Sequence, residues 1–130
     1  MKFLIFGAGA VGRALGARLH QAGHETVLIT RPAAADLLAD KGLTYTNTSG
    51  EQFTVQPTLV SSLRQGLALA EETGQPYDYL FLTMKAYDLP TAINELLAYC
   101  PQNPPTLLPF QNGIGAEEKL SEHYSAEMIL

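Results

Sequence analysis

The chain has 130 residues, enough for one domain with a hydrophobic core, and it is 46% hydrophobic and 16% charged, which excludes a disordered chain. Its net charge of −5 and its scattered Lys and Arg residues exclude the electrostatic footprint of a nucleic-acid-binding protein, and no apolar run approaches the ~20 residues that span a membrane. Cys100 is the single cysteine, so an internal disulfide and a cysteine metal cluster are excluded, and we expect a cytoplasmic protein.

A glycine-rich turn stands near the start of the chain. The apolar residues 3–6 predict a buried strand over 2–7, a helical pattern covers 10–22, and between them the sequence reads G-x-G-x-x-G. Gly7 permits the sharp turn, Gly9 lets a pyrophosphate approach the backbone, and Gly12 lets the helix pack close to the sheet. The helix N-terminus then offers N–H groups and a positive dipole end to the phosphates. The residues predicted to hold a dinucleotide here are Gly7, Ala8, Gly9, Ala10, Val11 and Gly12.

Strands and helices alternate along the rest of the chain. We predict strands at 25–30, 78–84 and 106–110, a hairpin from 43–48 and 52–55, and helices at 32–40, 61–72, 89–98 and 114–123. Val11, Leu15 and Leu19 recur at helical spacing and predict the buried face of the first helix. This order predicts an α/β fold of the Rossmann type, with a doubly wound, mainly parallel sheet, an inserted β-hairpin and helices on both faces.

The last residues, 127–130, have the pattern of another strand that is just beginning. Because termini usually lie at the surface of a domain, we expect this chain to be the N-terminal piece of a longer protein. On that expectation, residues 1–130 form the dinucleotide-binding domain of a two-domain enzyme, and the missing part carries the chemistry.

The end of the second strand predicts which dinucleotide binds. Ligands of such sheets bind beyond the carboxyl ends of the strands, and NAD sites place Asp or Glu there, about 20 residues past the glycines. This chain has Thr30 and Arg31 at that place, and it has no carboxylate between Glu25 and Asp36. A guanidinium can bind a 2′-phosphate bidentately, whereas a carboxylate would repel it. We therefore predict NADP(H) over NAD(H); the alternative is that Arg31 is a solvated surface residue.

Polar residues also follow the two later strands of the predicted sheet. Lys85 could donate to the cofactor ribose or phosphate or face an anionic substrate, or it could be an ordinary surface lysine. Asp88 is a candidate N-cap of the helix that begins at Leu89, and it is kept as a second site candidate. Asn112 could cap the next helix, or it could offer a donor and an acceptor to a substrate near the nicotinamide. We find no metal site and no nucleophile–base pair among these residues.

Taken together, these motifs resemble those of the ketopantoate reductases (2-dehydropantoate 2-reductases). The similarity lies in the glycine turn, in Thr30-Arg31, in the K-A-x-D run at 85–88 and in the Q-N-G-x-G run at 111–115. The resemblance implies NADPH-dependent reduction of 2-dehydropantoate to pantoate, a step of pantothenate and coenzyme A biosynthesis. It implies that Arg31 binds the 2′-phosphate, that Lys85 lies near the nicotinamide ribose, and that Asn112 contacts substrate and cofactor.

The resemblance also implies where the missing chemistry lies. The family's proton-donating lysine and its substrate-binding glutamate and serine belong to a helical C-terminal domain, so no catalytic residue is assigned within this chain. A homodimer is left open. The alternatives are a reductase of another 2-keto acid in the same family and a non-catalytic nucleotide-sensing domain, although Arg31 and Asn112 argue against the second.

Overall fold

The computed structural model describes residues 1–111 and 114–130. The strands are β1 (Lys2–Phe6), β2 (Glu25–Ile29), β3 (Leu43–Thr46), β4 (Gln52–Val55), β5 (Thr58–Val60), β6 (Tyr79–Leu82) and β7 (Thr106–Pro109). The helices are α1 (Ala10–Gln21), α2 (Pro32–Lys41), α3 (Leu63–Thr73), α4 (Leu89–Tyr99) and α5 (Ala116–Ser121), with short 3-10 turns at Ala86–Asp88 and Ala126–Met128.

Five of the strands form one parallel sheet in the order β5-β2-β1-β6-β7. Counted in chain order within this sheet, the arrangement is 3-2-1-4-5, which is the Rossmann order. Strands β3 and β4 form a separate antiparallel hairpin. The predicted Rossmann-type fold with an inserted hairpin is therefore confirmed, and the switch point of the sheet lies between β1 and β6.

Helices cover both faces of the sheet. Leu4 faces α3, α4 and α5, whose buried Leu63, Leu96 and Leu120 belong to the same apolar cluster. Ile5 faces the other side, where α1, α2 and the hairpin complete a second cluster. Because β1, β2 and β6 are covered on both faces, their sequences are almost continuously apolar rather than alternating. In the part of the chain that the structure describes, no helix is both long and apolar enough to cross a membrane.

The predicted buried face of α1 is wrong at its first position. Val11 is 42% exposed, and the buried residues of this helix are Gly12, Gly16 and Ala17. Small residues bring the helix axis close to the sheet, so the contact surface is rotated away from the larger side chains at 11, 15 and 19. Leu15 and Leu19 are only partly buried, at the margin of the second cluster.

One strand was missed, and several element boundaries differ from the prediction; β6 and α5, for example, cover Tyr79–Leu82 and Ala116–Ser121 rather than 78–84 and 114–123. Strand β5 was not predicted, because its three residues are too few to show alternation. Helix α3 begins at Leu63 rather than at 61, since the Ser62 hydroxyl accepts a hydrogen bond from the Gln65 N–H at 3.2 Å and caps the helix. Near the chain end, a 3-10 turn at Ala126–Met128 comes first, and only then does Ile129 pair in parallel with Leu107.

Candidate functional site

The glycine turn between β1 and α1 leaves little room for side chains on its inner side. Gly7 has a φ of 124°, and a Cβ there would lie 2.7 Å from the Met84 backbone nitrogen. A Cβ on Gly12 would overlap the Gly7 carbonyl oxygen and lie 2.7 Å from the Thr83 hydroxyl oxygen. Gly9 differs from both, because a Cβ there would meet nothing within 4 Å. The turn is therefore closed towards the sheet and open outwards at Gly9.

Helix α1 begins at this opening without a capping side chain. Gly9 occupies the N-cap position, and the first turn contains no acidic residue. The Arg13 N–H is bonded to the Gly9 carbonyl at 3.0 Å, so the backbone N–H groups before it have no acceptor one turn back in the helix. An uncapped helix N-terminus over an open glycine fits the phosphate of a nucleotide.

Thr83 and Gln111 tie neighbouring strand ends together at the carboxyl edge of the sheet, Thr83 between β6 and β1 and Gln111 between β7 and β6. The Thr83 hydroxyl donates to the Gly7 carbonyl at 2.7 Å, and its N–H donates to the Phe6 carbonyl at 3.0 Å. The Gln111 amide nitrogen lies 3.0 Å from the Leu82 carbonyl oxygen and 3.3 Å from that of Met84. Sequence reasoning assigned no role to either side chain. For Thr83, one feature of the sequence could have indicated such a role: it is a hydroxyl residue at the end of an otherwise apolar strand.

Arg31 places an exposed positive charge at the carboxyl end of β2. Thr30 before it is buried, and its N–H donates to the Val60 carbonyl at 2.9 Å, which continues the pairing of β2 with β5. Arg31 itself is exposed at the N-cap position of α2. Its side chain makes no hydrogen bond or ion pair with any residue that the structure describes. The guanidinium is thus available on the sheet edge that holds the glycine turn.

The remaining predicted site residues lie beyond β6 and β7. Lys85 is exposed at the end of β6, on the same edge as the glycine turn. Asp88 precedes α4, but its side chain makes no capping hydrogen bond, so the predicted capping role is wrong. Asn112 lies outside the described residues. A cavity of about 200 Å³, lined in part by Pro109, Gln111 and Ile114, opens beside the end of β7.

The larger cavity and the perturbed ionisable groups lie at the opposite edge of the sheet. A cavity of about 530 Å³ there is lined in part by Tyr77, which precedes β6, and by Cys100, which follows α4. Burial raises the pKa of the Cys100 thiol to about 11. Among the described residues, no group of three or more His, Cys, Asp or Glu side chains could hold a metal ion. The candidate site is therefore the carboxyl edge, built from backbone groups and exposed cations.

This strand order, with an open glycine turn and an uncapped helix at the switch point, defines a domain of the Rossmann class. The chain belongs to the ketopantoate reductase PanE/ApbA family, whose model matches residues 3–130. The resemblance seen in the sequence motifs is therefore confirmed. The family is one of oxidoreductases that act on small keto acids.

Relatives from other organisms are similar to nearly the whole of this chain. The chain is 34% identical to an uncharacterised oxidoreductase, YkpB, of Bacillus subtilis, over 100% of this chain and 39% of that protein. It is 30% identical to a 2-dehydropantoate 2-reductase of Pyrococcus horikoshii, over 94% of this chain and 36% of that protein. The chain thus spans well under half the length of these relatives.

Solved structures show the same fold. The 2-dehydropantoate 2-reductase of Geobacter metallireducens matches with a TM-score of 0.78 and 27% identity, over 99% of this chain and 40% of that one. A D-mandelate dehydrogenase, in a ternary structure with NADH and anilino(oxo)acetate, matches with a TM-score of 0.76 and 28% identity, over 99% of this chain and 39% of that one. NADH is therefore bound by a structural neighbour of this chain.

Proposed function

We propose that this chain is the NADPH-binding part of a reductase that converts 2-dehydropantoate to pantoate, a step of pantothenate and coenzyme A biosynthesis. The observation that carries the proposal is Arg31, an exposed guanidinium at the end of β2, where an NAD site would have a carboxylate. Relatives named 2-dehydropantoate 2-reductase support the choice of substrate. A helical substrate domain beyond residue 130 is part of the same proposal.

The described residues fit a dinucleotide along the carboxyl edge. In the proposed complex, the open face at Gly9 and the N–H groups at the start of α1 bind the pyrophosphate. Arg31 binds the 2′-phosphate with its planar fork of donors. Lys85 donates to the nicotinamide ribose or to the substrate carboxylate. Asn112, outside the described residues, contacts substrate and cofactor.

The proposed reaction divides its tasks between this chain and the remainder of the protein. Bound NADPH supplies a hydride from nicotinamide C4 to the ketone carbon, while a proton goes to the ketone oxygen and NADP⁺ is left. This chain binds and orients the two reactants through the glycine turn, Arg31 and Lys85. The proton donor is expected in the further domain, so residues 1–130 alone should bind NADPH weakly and reduce no substrate.

A second candidate function is favoured by the structural match to D-mandelate dehydrogenase with NADH. In that case the protein would act on another 2-keto acid and would accept NADH. A non-catalytic nucleotide-sensing domain is the third candidate, from a different class. It would bind the dinucleotide without needing Asn112 or an anionic substrate.

Titration of the purified chain with NADPH and with NADH tests the cofactor assignment. We expect NADPH to bind at least tenfold more tightly, which is about 1.4 kcal/mol. Arg31→Gln should remove most of that difference by weakening NADPH alone. Lys41→Gln is the matched control, because it removes one positive charge from the other end of α2.

Each alternative has its own outcome in these experiments. A preference for NADH in the unmodified chain would contradict the role given to Arg31 and favour the second candidate. Reductase activity from residues 1–130 alone would contradict the assignment of the proton donor to a further domain. If Arg31→Gln and Lys41→Gln weaken NADPH binding equally, Arg31 acts only through the overall surface charge, and its assignment to the 2′-phosphate is wrong.

A further inference from the structure

We propose that Arg13 is a second cation of the cofactor site and that its guanidinium neutralises the pyrophosphate. The inference rests on the proposed binding of a nicotinamide dinucleotide, and it adds a residue that neither the glycine motif nor the family resemblance singled out. It concerns the part that NADPH and NADH share, so it is separate from the choice between them.

A hydrogen bond holds the Arg13 side chain against the glycine turn. Its Nε donates to the Ala8 carbonyl oxygen at 2.7 Å, although the two residues are five apart in sequence. Side chains of a helix lean towards its N-terminus, and this bond draws the guanidinium further back over the turn. The Nη groups of the same planar fork donate to no described residue. They therefore remain available on the outer side of the glycine turn, next to Ala8.

The position of this charge is unfavourable unless an anion binds. The N-terminus of a helix carries a partial positive charge, so a cation beside it is repelled. Within the described residues, the one ion pair joins Lys2 to Glu25, so no carboxylate offsets the charge of Arg13. A cation fixed at a positive helix end, with no acid beside it, is a local conflict of the kind that functional sites contain.

A bound pyrophosphate would resolve this conflict. The two phosphates of a dinucleotide carry two negative charges, whereas a helix N-terminus offers roughly half an elementary charge. Backbone N–H groups alone would leave most of the ligand charge uncompensated. A guanidinium beside the turn supplies a full charge and donors suited to phosphate oxygens.

Arg18 provides a matched control on the same helix. It is also exposed, but it lies in the last turn of α1, where a cation is favourable. Its guanidinium carbon lies 5.4 Å from the centre of the Tyr45 ring in the hairpin. Arg13→Gln and Arg18→Gln therefore make the same change in net charge at opposite ends of one helix.

The experiment measures ligand affinity by NMR titration, which also detects weak binding. The ligands are NADPH, NADH and adenosine 2′-monophosphate, which has the 2′-phosphate but no pyrophosphate. Arg13→Gln should weaken NADPH and NADH by the same factor, about tenfold, and should reduce the dependence of affinity on salt. Binding of adenosine 2′-monophosphate should stay within twofold. Arg18→Gln should leave all three affinities within twofold, and Arg13→Lys should recover part of the loss.

The outcomes separate this inference from the proposed function. If Arg13→Gln binds both dinucleotides as tightly as the unmodified chain, Arg13 has no part in the site, while the assignment of Arg31 is unaffected. If Arg13→Gln weakens all three ligands equally, its role is to support the fold, and the inference is overturned. If the unmodified chain binds neither dinucleotide, the proposed function fails and the inference fails with it.

Discussion

The Thr83 hydroxyl connects the end of β6 to the glycine turn that follows β1. Its Oγ lies 2.7 Å from the Gly7 carbonyl oxygen, and it also fills the space that Gly12 leaves by having no Cβ. Thr83 is largely buried, and its hydroxyl is the donor to this carbonyl among the described residues. The shape of the glycine turn therefore depends on a residue of β6 as well as on the glycines themselves.

Replacing Thr83 with Val tests this dependence, because the two side chains have nearly the same shape. We expect Thr83→Val to lower the free energy of unfolding by about 1–3 kcal/mol, since the Gly7 carbonyl loses its donor in a buried place. NADPH binding should weaken as the turn loosens. Urea unfolding and NADPH titration measure the two effects.

Thr83→Ser is the control for that substitution. It keeps the hydroxyl and removes one methyl group, so it should restore most of the NADPH affinity even if it is slightly less stable. An unchanged NADPH affinity in Thr83→Val would show that the turn keeps its shape without the hydrogen bond.

For single residues, the positions of charged side chains were easier to predict from the sequence than their hydrogen bonds. Arg31 and Lys85 stand directly after predicted strands, so the topology alone placed them on the carboxyl edge of the sheet. The contact between Thr83 and Gly7 joins residues 76 apart, and the Arg13 bond depends on how the turn folds back. Neither contact can be predicted from the spacing of residues in the sequence, because both depend on how β1, α1 and β6 pack together.

The glycine turn between β1 and α1 has two different faces: its inner face is closely packed, and its outer face is open. Gly12 faces the inside of the turn, where a methyl group would overlap the Gly7 carbonyl oxygen. Gly9 faces outwards and has a φ of −75°, which any residue can adopt. The two glycines belong to one motif, but the structure gives them different roles.

We expect Gly12→Ala to destabilise the fold and Gly9→Ala to leave it almost unchanged. The added methyl group at 12 must push α1 away from the sheet, at a cost of about 1–3 kcal/mol for overpacking. The methyl group at 9 meets only open space, so its expected effect is weaker NADPH binding through its position on the phosphate face. Thermal unfolding and NADPH titration of both variants measure these effects. A Gly9→Ala variant that binds NADPH normally would place the phosphates elsewhere.

The sequence predicted most elements because their signals are local. Glycines ended several helices, and the apolar runs of β1, β2 and β6 are typical of buried parallel strands. Strand β5 was missed because three residues pair at the sheet edge only when β2 is already in place. The buried face of α1 was misjudged at Val11 because close packing through glycines does not produce an apolar stripe.

At the scale of the whole molecule, the two edges of the sheet have different characters. The carboxyl edge exposes Arg31 and Lys85, whereas the amino edge buries polar groups in hydrogen bonds. There the buried Lys2 ammonium lies 3.2 Å from a Glu25 carboxylate oxygen and 3.1 Å from the Gln75 carbonyl. The Tyr77 hydroxyl donates to the Gly66 carbonyl at 2.6 Å. These contacts connect the ends of β1 and β2 to α3 at the edge opposite the candidate site.

The amino edge also makes the stability of the fold sensitive to alkaline pH. Burial, followed by the charge of Glu25, raises the pKa of Tyr77 to about 12. Burial raises the pKa of Cys100 to about 11, and burial together with Cys100 raises that of Tyr124 to about 12. In the unfolded chain these groups ionise at about 10 for Tyr and about 8.5 for Cys. The unfolded state therefore loses protons first, and stability falls as pH rises from about 8.5 to 12.

We expect the urea midpoint of unfolding to be highest below pH 8.5 and to fall steadily between pH 9 and 11. Tyr124→Phe should flatten this decline, because it removes one of the three groups and keeps the buried ring. It should also lower the midpoint slightly at pH 7, since the Tyr124 hydroxyl donates to the Cys100 carbonyl at 3.2 Å. A midpoint that stays constant from pH 8.5 to 11 would show that these groups ionise in the folded chain as readily as in the unfolded one.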